Sequence, residues 1–140
     1  MRRVLITGGS RGIGQAIAVL LRESGNYEVL SPTRGQLDLA NASSVRNYLS
    51  QCPDLDALVN VAGINILGKI EELDEAAVGQ MCQTNLIAPL QLIRGVVCGM
   101  RRRGGGRIVN FSSIWGVRSK ELRTLYSMTK FGLTGMTKAL

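Results

Sequence analysis

Apolar and polar positions change period several times along this chain, and the changes mark out alternating strands and helices. Val4-Leu5-Ile6 is a short continuous apolar run that ends at Gly8, the pattern of a strand buried on both faces. Ile13, Ala16, Ile17, Leu20 and Leu21 then recur at helical spacing, and Gly25 supplies a stop. Tyr27 to Leu30 predicts a second strand, and Gln36-Leu37-Asp38-Leu39 a third. Ser43 or Ser44 is placed to cap a helix running through about Cys52. Leu55 to Val61 reads as another buried strand, closed by Ala62-Gly63. Val78, Met81, Cys82, Leu86, Leu90, Ile93, Val97 and Met100 keep helical spacing over the longest stretch. Arg107 to Phe111 predicts a last strand, and a final helix starts near Arg123 and is still running at Leu140.

Strands alternating with helices predict a single α/β domain over residues 1–140, a doubly wound parallel sheet with helices on both faces. Two features depart from a complete version. Only Ser31 to Gly35 separate the second strand from the third, too few for a helical crossover, so a bare loop is expected there. The last helix has no cap, and about five strands are counted where such sheets commonly have six. The domain is therefore expected to be incomplete at its C-terminus, and poorly stable and inactive by itself. Pro89, four residues after Asn85, predicts a kink with the residue 85 carbonyl left free.

Composition narrows the chemistry. With 45% hydrophobic and 19% charged residues, the chain has the make-up of a folded domain. No apolar run approaches a bilayer span, and the three apolar residues after Arg3 are too few for a secretory signal, which predicts a cytoplasmic protein. The net charge of +7 raises the question of nucleic acid. However, the one cluster, Arg101-Arg102-Arg103 with Arg107 nearby, lies at a predicted helix end, where it complements the dipole. No aromatic residues alternate with it for base stacking, so neither a nucleic-acid nor a membrane partner is expected. The absence of histidine excludes Ser-His-Asp triads and HExxH metal sites. Cys52, Cys82 and Cys98 are widely spaced and predicted to be buried thiols, leaving no metal site. Catalysis would fall to hydroxyls, amines, amides or a cofactor.

Two motifs carry such chemistry. Thr7-Gly8-Gly9-Ser10-Arg11-Gly12-Ile13-Gly14 lies between the first strand and the first helix. Glycines there let the backbone turn sharply and approach a pyrophosphate, whose charge sits at the helix N-terminus. Tyr126 and Lys130 are four residues apart, on one helix face. A phenol ordinarily titrates near 10, too high for proton transfer at neutral pH, and a neighbouring ammonium favours its phenolate form. Ser113 precedes Tyr126 by thirteen residues and ends a strand at the sheet edge where α/β folds bind ligands.

The segment Thr7 to Gly14 matches TGxxxGIG, and Asn60-Val61-Ala62-Gly63 matches NNAG with one substitution. With Asn85, Ser113, Tyr126 and Lys130 in the order and spacing of an active-site tetrad, the chain resembles the short-chain dehydrogenase/reductase family from residue 2 to its last residue. It is similar in particular to the ketoacyl-reductase-like members. The resemblance implies a Rossmann-like NAD(P)-binding fold and an oxidoreductase that moves a hydride between a nicotinamide cofactor and a small carbonyl or alcohol substrate. It implies that Tyr126 exchanges a proton with the substrate oxygen. Lys130 would favour the phenolate and hold the nicotinamide ribose, and Ser113 would hydrogen-bond the same oxygen. Asn85 would take part in a water-mediated proton relay. Gly8, Ser10, Arg11, Gly12, Ile13 and Gly14 would line the phosphates, Asp38 and Leu39 the adenine, and Asn60, Ala62 and Gly63 the ribose and adenine. A homodimer or homotetramer is also implied.

Cofactor choice turns on the end of the second strand, where an acidic residue would favour NAD. This chain offers Ser31, Thr33 and Arg34 there, with Arg11 in the glycine turn, which favours NADP(H) and leaves NAD(H) as the alternative. An incomplete or inactive nucleotide-binding fragment is the second functional reading. Ile64, Asn65, Ile66, Ile114, Trp115 and Val117 are expected to line an apolar substrate wall.

Overall fold

The computed structural model describes residues 1–140. The apolar run at Val4 lies inside β1 (Arg2–Thr7), whose residues Val4 to Thr7 are all buried. Three further strands, β2 (Tyr27–Leu30), β3 (Ala57–Asn60) and β4 (Arg107–Asn110), join it in a parallel sheet of order β2-β1-β3-β4. The pairing sets Val4 beside Val29 and Ala57, Thr7 beside Asn60, and Asn60 beside Asn110. The chain leaves β1 for β2 on one side and reaches β3 on the other. A crevice therefore opens at the carboxyl ends of β1 and β3, the place where α/β sheets bind ligands.

Helices α1 (Gly12–Glu23), α2 (Ala42–Gln51), α3 (Glu75–Cys82), α4 (Ala88–Arg102) and α5 (Thr124–Lys138) complete the framework. On one face of the sheet, Leu5 and Leu58 pack with Val45 of α2 and with Leu92, Ile93, Val96 and Met100 of α4. On the other, Val4, Ile6 and Val59 meet Ala18 of α1. Burying a leucine or isoleucine side chain contributes about 1.5–3 kcal/mol, so the first face carries most of the apolar stabilisation. Beyond α1 the second face is open, and Val109 on β4 is 46% exposed.

Several expectations need correction. The sheet has four strands, not five. Gln36 to Leu39 form no strand but continue a tight turn, in which the Thr33 N–H and hydroxyl donate to Gln36 Oε1 and the Leu37 N–H donates to Thr33 O. Leu37 and Leu39 reach the core from that turn, and their alternation reflects burial rather than an extended backbone. The cap of α2 is Asn41, whose Oδ1 accepts from the Ser43 and Ser44 N–H groups, so the two serines occupy its first turn. The long helical stretch is interrupted at Gln83–Ile87 by a π turn in which the Ala88 N–H donates to Gln83 O. Pro89 follows directly and lacks the donor that a regular α ladder needs there. The last helix closes at Lys138, before Leu140. All three cysteines are free thiols, but Cys98 is exposed on the outer face of α4 and the other two are only half-buried.

Candidate active site

The turn after β1 is shaped by two glycines. Gly8 has φ +71°, and a Cβ there would stand 2.9 Å from the Ala62 Cα; a Cβ on Gly14 would overlap the Gly8 carbonyl oxygen. Only glycine allows that turn to lie so close to both β3 and the start of α1. Thr7 Oγ1 fastens the same corner by accepting from the N–H groups of Val61 (3.2 Å) and Ala62 (3.3 Å). Helix α1 has no side-chain cap and no acidic residue in its first turn. Its free N–H groups and positive dipole end therefore face an open cleft, a ready anion site.

That cleft has a volume of about 670 Å³. Gly8, Ser10, Arg11, Gly12, Ile13 and Gly14 line one side, and Arg34, Asp38, Leu39, Ala62 and Gly63 are also in its wall. Of the residues named from sequence for this role, Asn60 lies apart. It is 3% exposed, its Nδ2 donates to Asn110 Oδ1 at 2.8 Å, and its own Oδ1 is buried without a partner. It is paired with Asn110 across β3 and β4 and is not in the wall of the cleft. Pro32, Ala40, Gln80 and Thr84 line the cleft without having been singled out, since no motif marks them.

A smaller cavity of about 210 Å³ adjoins the cleft and shares Ile13, Val61, Gly63 and Ile64 with it. Tyr126 and Lys130 line this second space with Asn65, Phe111 and Ser112. Ser112, not Ser113, is the serine in its wall. Ser113 caps the short helical turn Ile114–Gly116, with its Oγ accepting from the Trp115 N–H at 3.2 Å. Ile64 and Asn65 stand where the sequence put them, whereas Ile66, Ile114, Trp115 and Val117 do not reach the cavity; Ile114 and Val117 are mostly exposed.

Lys130 is the electrostatic centre. It is 4% exposed, and its Nζ donates to Phe111 O at 2.8 Å and lies 5.7 Å from the Tyr126 ring centroid. Burial disfavours its charged form and lowers its pKa from the ordinary lysine value. Asn85, 1% exposed in the π turn, grips the neighbouring backbone: Oδ1 accepts from the Ile64 N–H and Nδ2 donates to Ile64 O, both at 2.8 Å. The same Nδ2 reaches Thr129 Oγ1 at 3.2 Å, on α5 beside Lys130. Between the two sits Gly63, where a Cβ would lie 3.3 Å from Asn85 Oδ1 and 3.5 Å from Lys130 Nζ. The segment before α5 is laced to that helix by Ser112 Oγ to Lys130 O (3.2 Å) and Ser119 Oγ to Ser127 Oγ (2.7 Å). Sequence spacing pointed to Tyr126 and Lys130 but not to Ser112, Thr129 or the Phe111 carbonyl. Backbone acceptors leave no signature in residue type.

Comparison with known proteins bears on the family and the fold. The description "short chain dehydrogenase" matches residues 33–140. Acetoacetyl-CoA reductase of Rhizobium meliloti is 36% identical over 99% of this chain and 66% of its own length. The structure of 4-hydroxyisoleucine dehydrogenase complexed with NADH superposes with a TM-score of 0.93 at 27% identity, over 99% of this chain and 67% of that one. A metagenomic short-chain oxidoreductase in complex with NADP gives 0.85 at 26% identity, over 99% and 73%. The chain spans between about half and two thirds of the length of the curated relatives it matches. No helix is long and apolar enough to cross a membrane.

Proposed function

We infer that this chain, which belongs to the short-chain dehydrogenase family, transfers a hydride between NADP(H) and a small carbonyl or alcohol substrate. One observation carries the reading. The anion-ready cleft at α1 and the cavity holding Tyr126 and Lys130 share four lining residues, so an extended dinucleotide in the first would end beside the second. The uncapped helix, the glycine approach and the exposed guanidiniums fit the phosphates of such a cofactor. When bound, the cofactor supplies the hydride acceptor or donor.

The chain's own residues would do the rest. Tyr126 donates its proton to the substrate oxygen in reduction and takes one in oxidation. The ammonium of Lys130, held on the Phe111 carbonyl, stabilises the phenolate left behind. Ser113, one residue beyond the cavity wall, would have to turn its hydroxyl away from the Trp115 N–H to hydrogen-bond the same oxygen. Asn85 spends its side chain on Ile64 and Thr129 and thereby fixes the floor shared by the two cavities. Arg11 and Arg34 favour the 2′-phosphate of NADP over the bare ribose of NAD. Exposed Ile87 and Leu90 near the start of α4, with Met128 and Phe131 on α5, would support self-association as a cytoplasmic homodimer or homotetramer.

NADPH oxidation with a panel of ketones tests the reading, with Tyr126→Phe as control. Turnover that the variant loses supports it, and turnover that the variant keeps contradicts it. The open edge of β4 and the uncovered sheet face beside it favour a second reading, a nucleotide-binding piece without turnover. Binding of NADPH with no ketone reduced would select that one.

A further inference from the structure

Arg34 and Asp38 both line the larger cleft, and they are paired to each other: Arg34 Nε lies 3.5 Å from Asp38 Oδ1. The two partners differ in freedom. Asp38 is fixed, because its N–H donates to Ser44 Oγ at 3.0 Å and its Oδ1 accepts from the Ala40 N–H at 3.1 Å. The buried side chains of Leu37 and Leu39 anchor the turn on either side of it. Arg34 is fixed by nothing else, and its side chain is 76% exposed.

From this pairing we infer that Asp38 tempers the cofactor selectivity of the cleft by competing with a ligand phosphate for Arg34. The inference rests on the nucleotide reading above and goes beyond it by assigning a restraining role to a carboxylate within the phosphate-selecting corner. A 2′-phosphate carries about −1.5 to −2 charges near neutral pH and recruits Arg34 away from a single carboxylate. It must first break the existing pair and then sit near the released Asp38 charge. A ligand without the 2′-phosphate leaves the pair intact. Asp38 therefore lowers the margin by which the cleft prefers the phosphorylated ligand. Arg11, which has no acidic partner, carries most of the preference.

Asp38→Asn isolates the effect, since an asparagine Oδ1 can still accept from the Ala40 N–H. Calorimetric titration of the 140-residue chain with adenosine 2′,5′-bisphosphate and with adenosine 5′-monophosphate reads it. Asp38→Asn is expected to tighten the bisphosphate about threefold, the scale of an exposed ion pair, while the monophosphate changes less than about twofold. In an Arg34→Gln background the same substitution is expected to give well under half that gain. Equal changes for both ligands, or an undiminished gain without Arg34, would overturn the inference. Should Asp38→Asn not fold, Arg34→Gln alone decides. It should weaken the bisphosphate less than Arg11→Gln does, and an equal or larger loss would overturn the inference. If neither ligand binds the wild-type chain, the nucleotide reading fails and this one falls with it. Binding of both ligands with no effect at Asp38 would sink this inference alone.

Discussion

The two ends of the cleft are built in opposite ways. Around Lys130 the polar groups are tied, and Lys130, Asn85 and Thr129 are buried: the ammonium bonds the Phe111 carbonyl, Asn85 bonds Ile64 and Thr129, and the more exposed Ser112 bonds the backbone of α5. Around Arg11 and Arg34 the charges are exposed, and they stand on a glycine turn and a short loop. A proton transfer needs atoms held to a fraction of an ångström, which buried, fully bonded groups supply. Selecting one phosphate needs only charge within reach, which an exposed arginine supplies and a single substitution can retune. The first region should therefore respond to mutation in turnover and stability, and the second in ligand choice.

The largest effect should come from Tyr126→Phe. The ring and its packing survive while the transferable proton is lost, so turnover should fall about 10²–10⁴-fold with the Kd for NADPH nearly unchanged. Parallel kinetic and binding titrations check both halves. Next is Asn85→Ala, which strands both Ile64 backbone groups in a part-buried site, while the Thr129 hydroxyl keeps its bond to Tyr126 O. Denaturant melts should report a loss of about 2–4 kcal/mol. A loss under about 0.5 kcal/mol would mean that the tied corner is not what holds this end together. Arg11→Ala should leave stability alone and weaken NADPH by about 1.5–3 kcal/mol relative to NADH, one charge-assisted contact. Equal losses for both cofactors would erase the contrast between the two ends.

The smallest effect is on the pH dependence of stability. Burial lowers the Lys130 pKa below its ordinary 10.5. Between the lowered value and 10.5 the unfolded chain binds the extra proton, so this residue makes stability rise with pH across that window. Below the window its full desolvation cost is present. Lys130→Met should remove the rise, and melts repeated across the alkaline range measure it.

The two ends also differed in how much of them could be read in advance. The Tyr126–Lys130 pair and the glycine turn are local patterns, and helical spacing or a strand-to-helix boundary places them directly. The hydrogen bonds that tie the corner run between distant segments, such as Asn85 to Ile64 and Ser112 to α5, and no local period encodes them. Leu37 and Leu39 misled because alternation records which side chains are buried, and a turn can bury alternate residues as well as a strand can. Asn41 was hidden by the two serines after it, which have similar capping propensity but sit inside the helix. Pro89 announced an irregularity in the long helix, but the missing donor by itself does not specify that a π turn at Gln83–Ile87 absorbs it.

The account's central claim is that one dinucleotide bridges the exposed end and the tied end. Hydrogen–deuterium exchange of the 140-residue chain, with and without saturating NADPH, tests it most directly. The claim predicts added protection together at residues 8–14, at 31–40, at 61–64 and at the start of α5. Protection confined to the arginine-rich end of α4, or none at any segment under conditions where NADPH is bound, would contradict it.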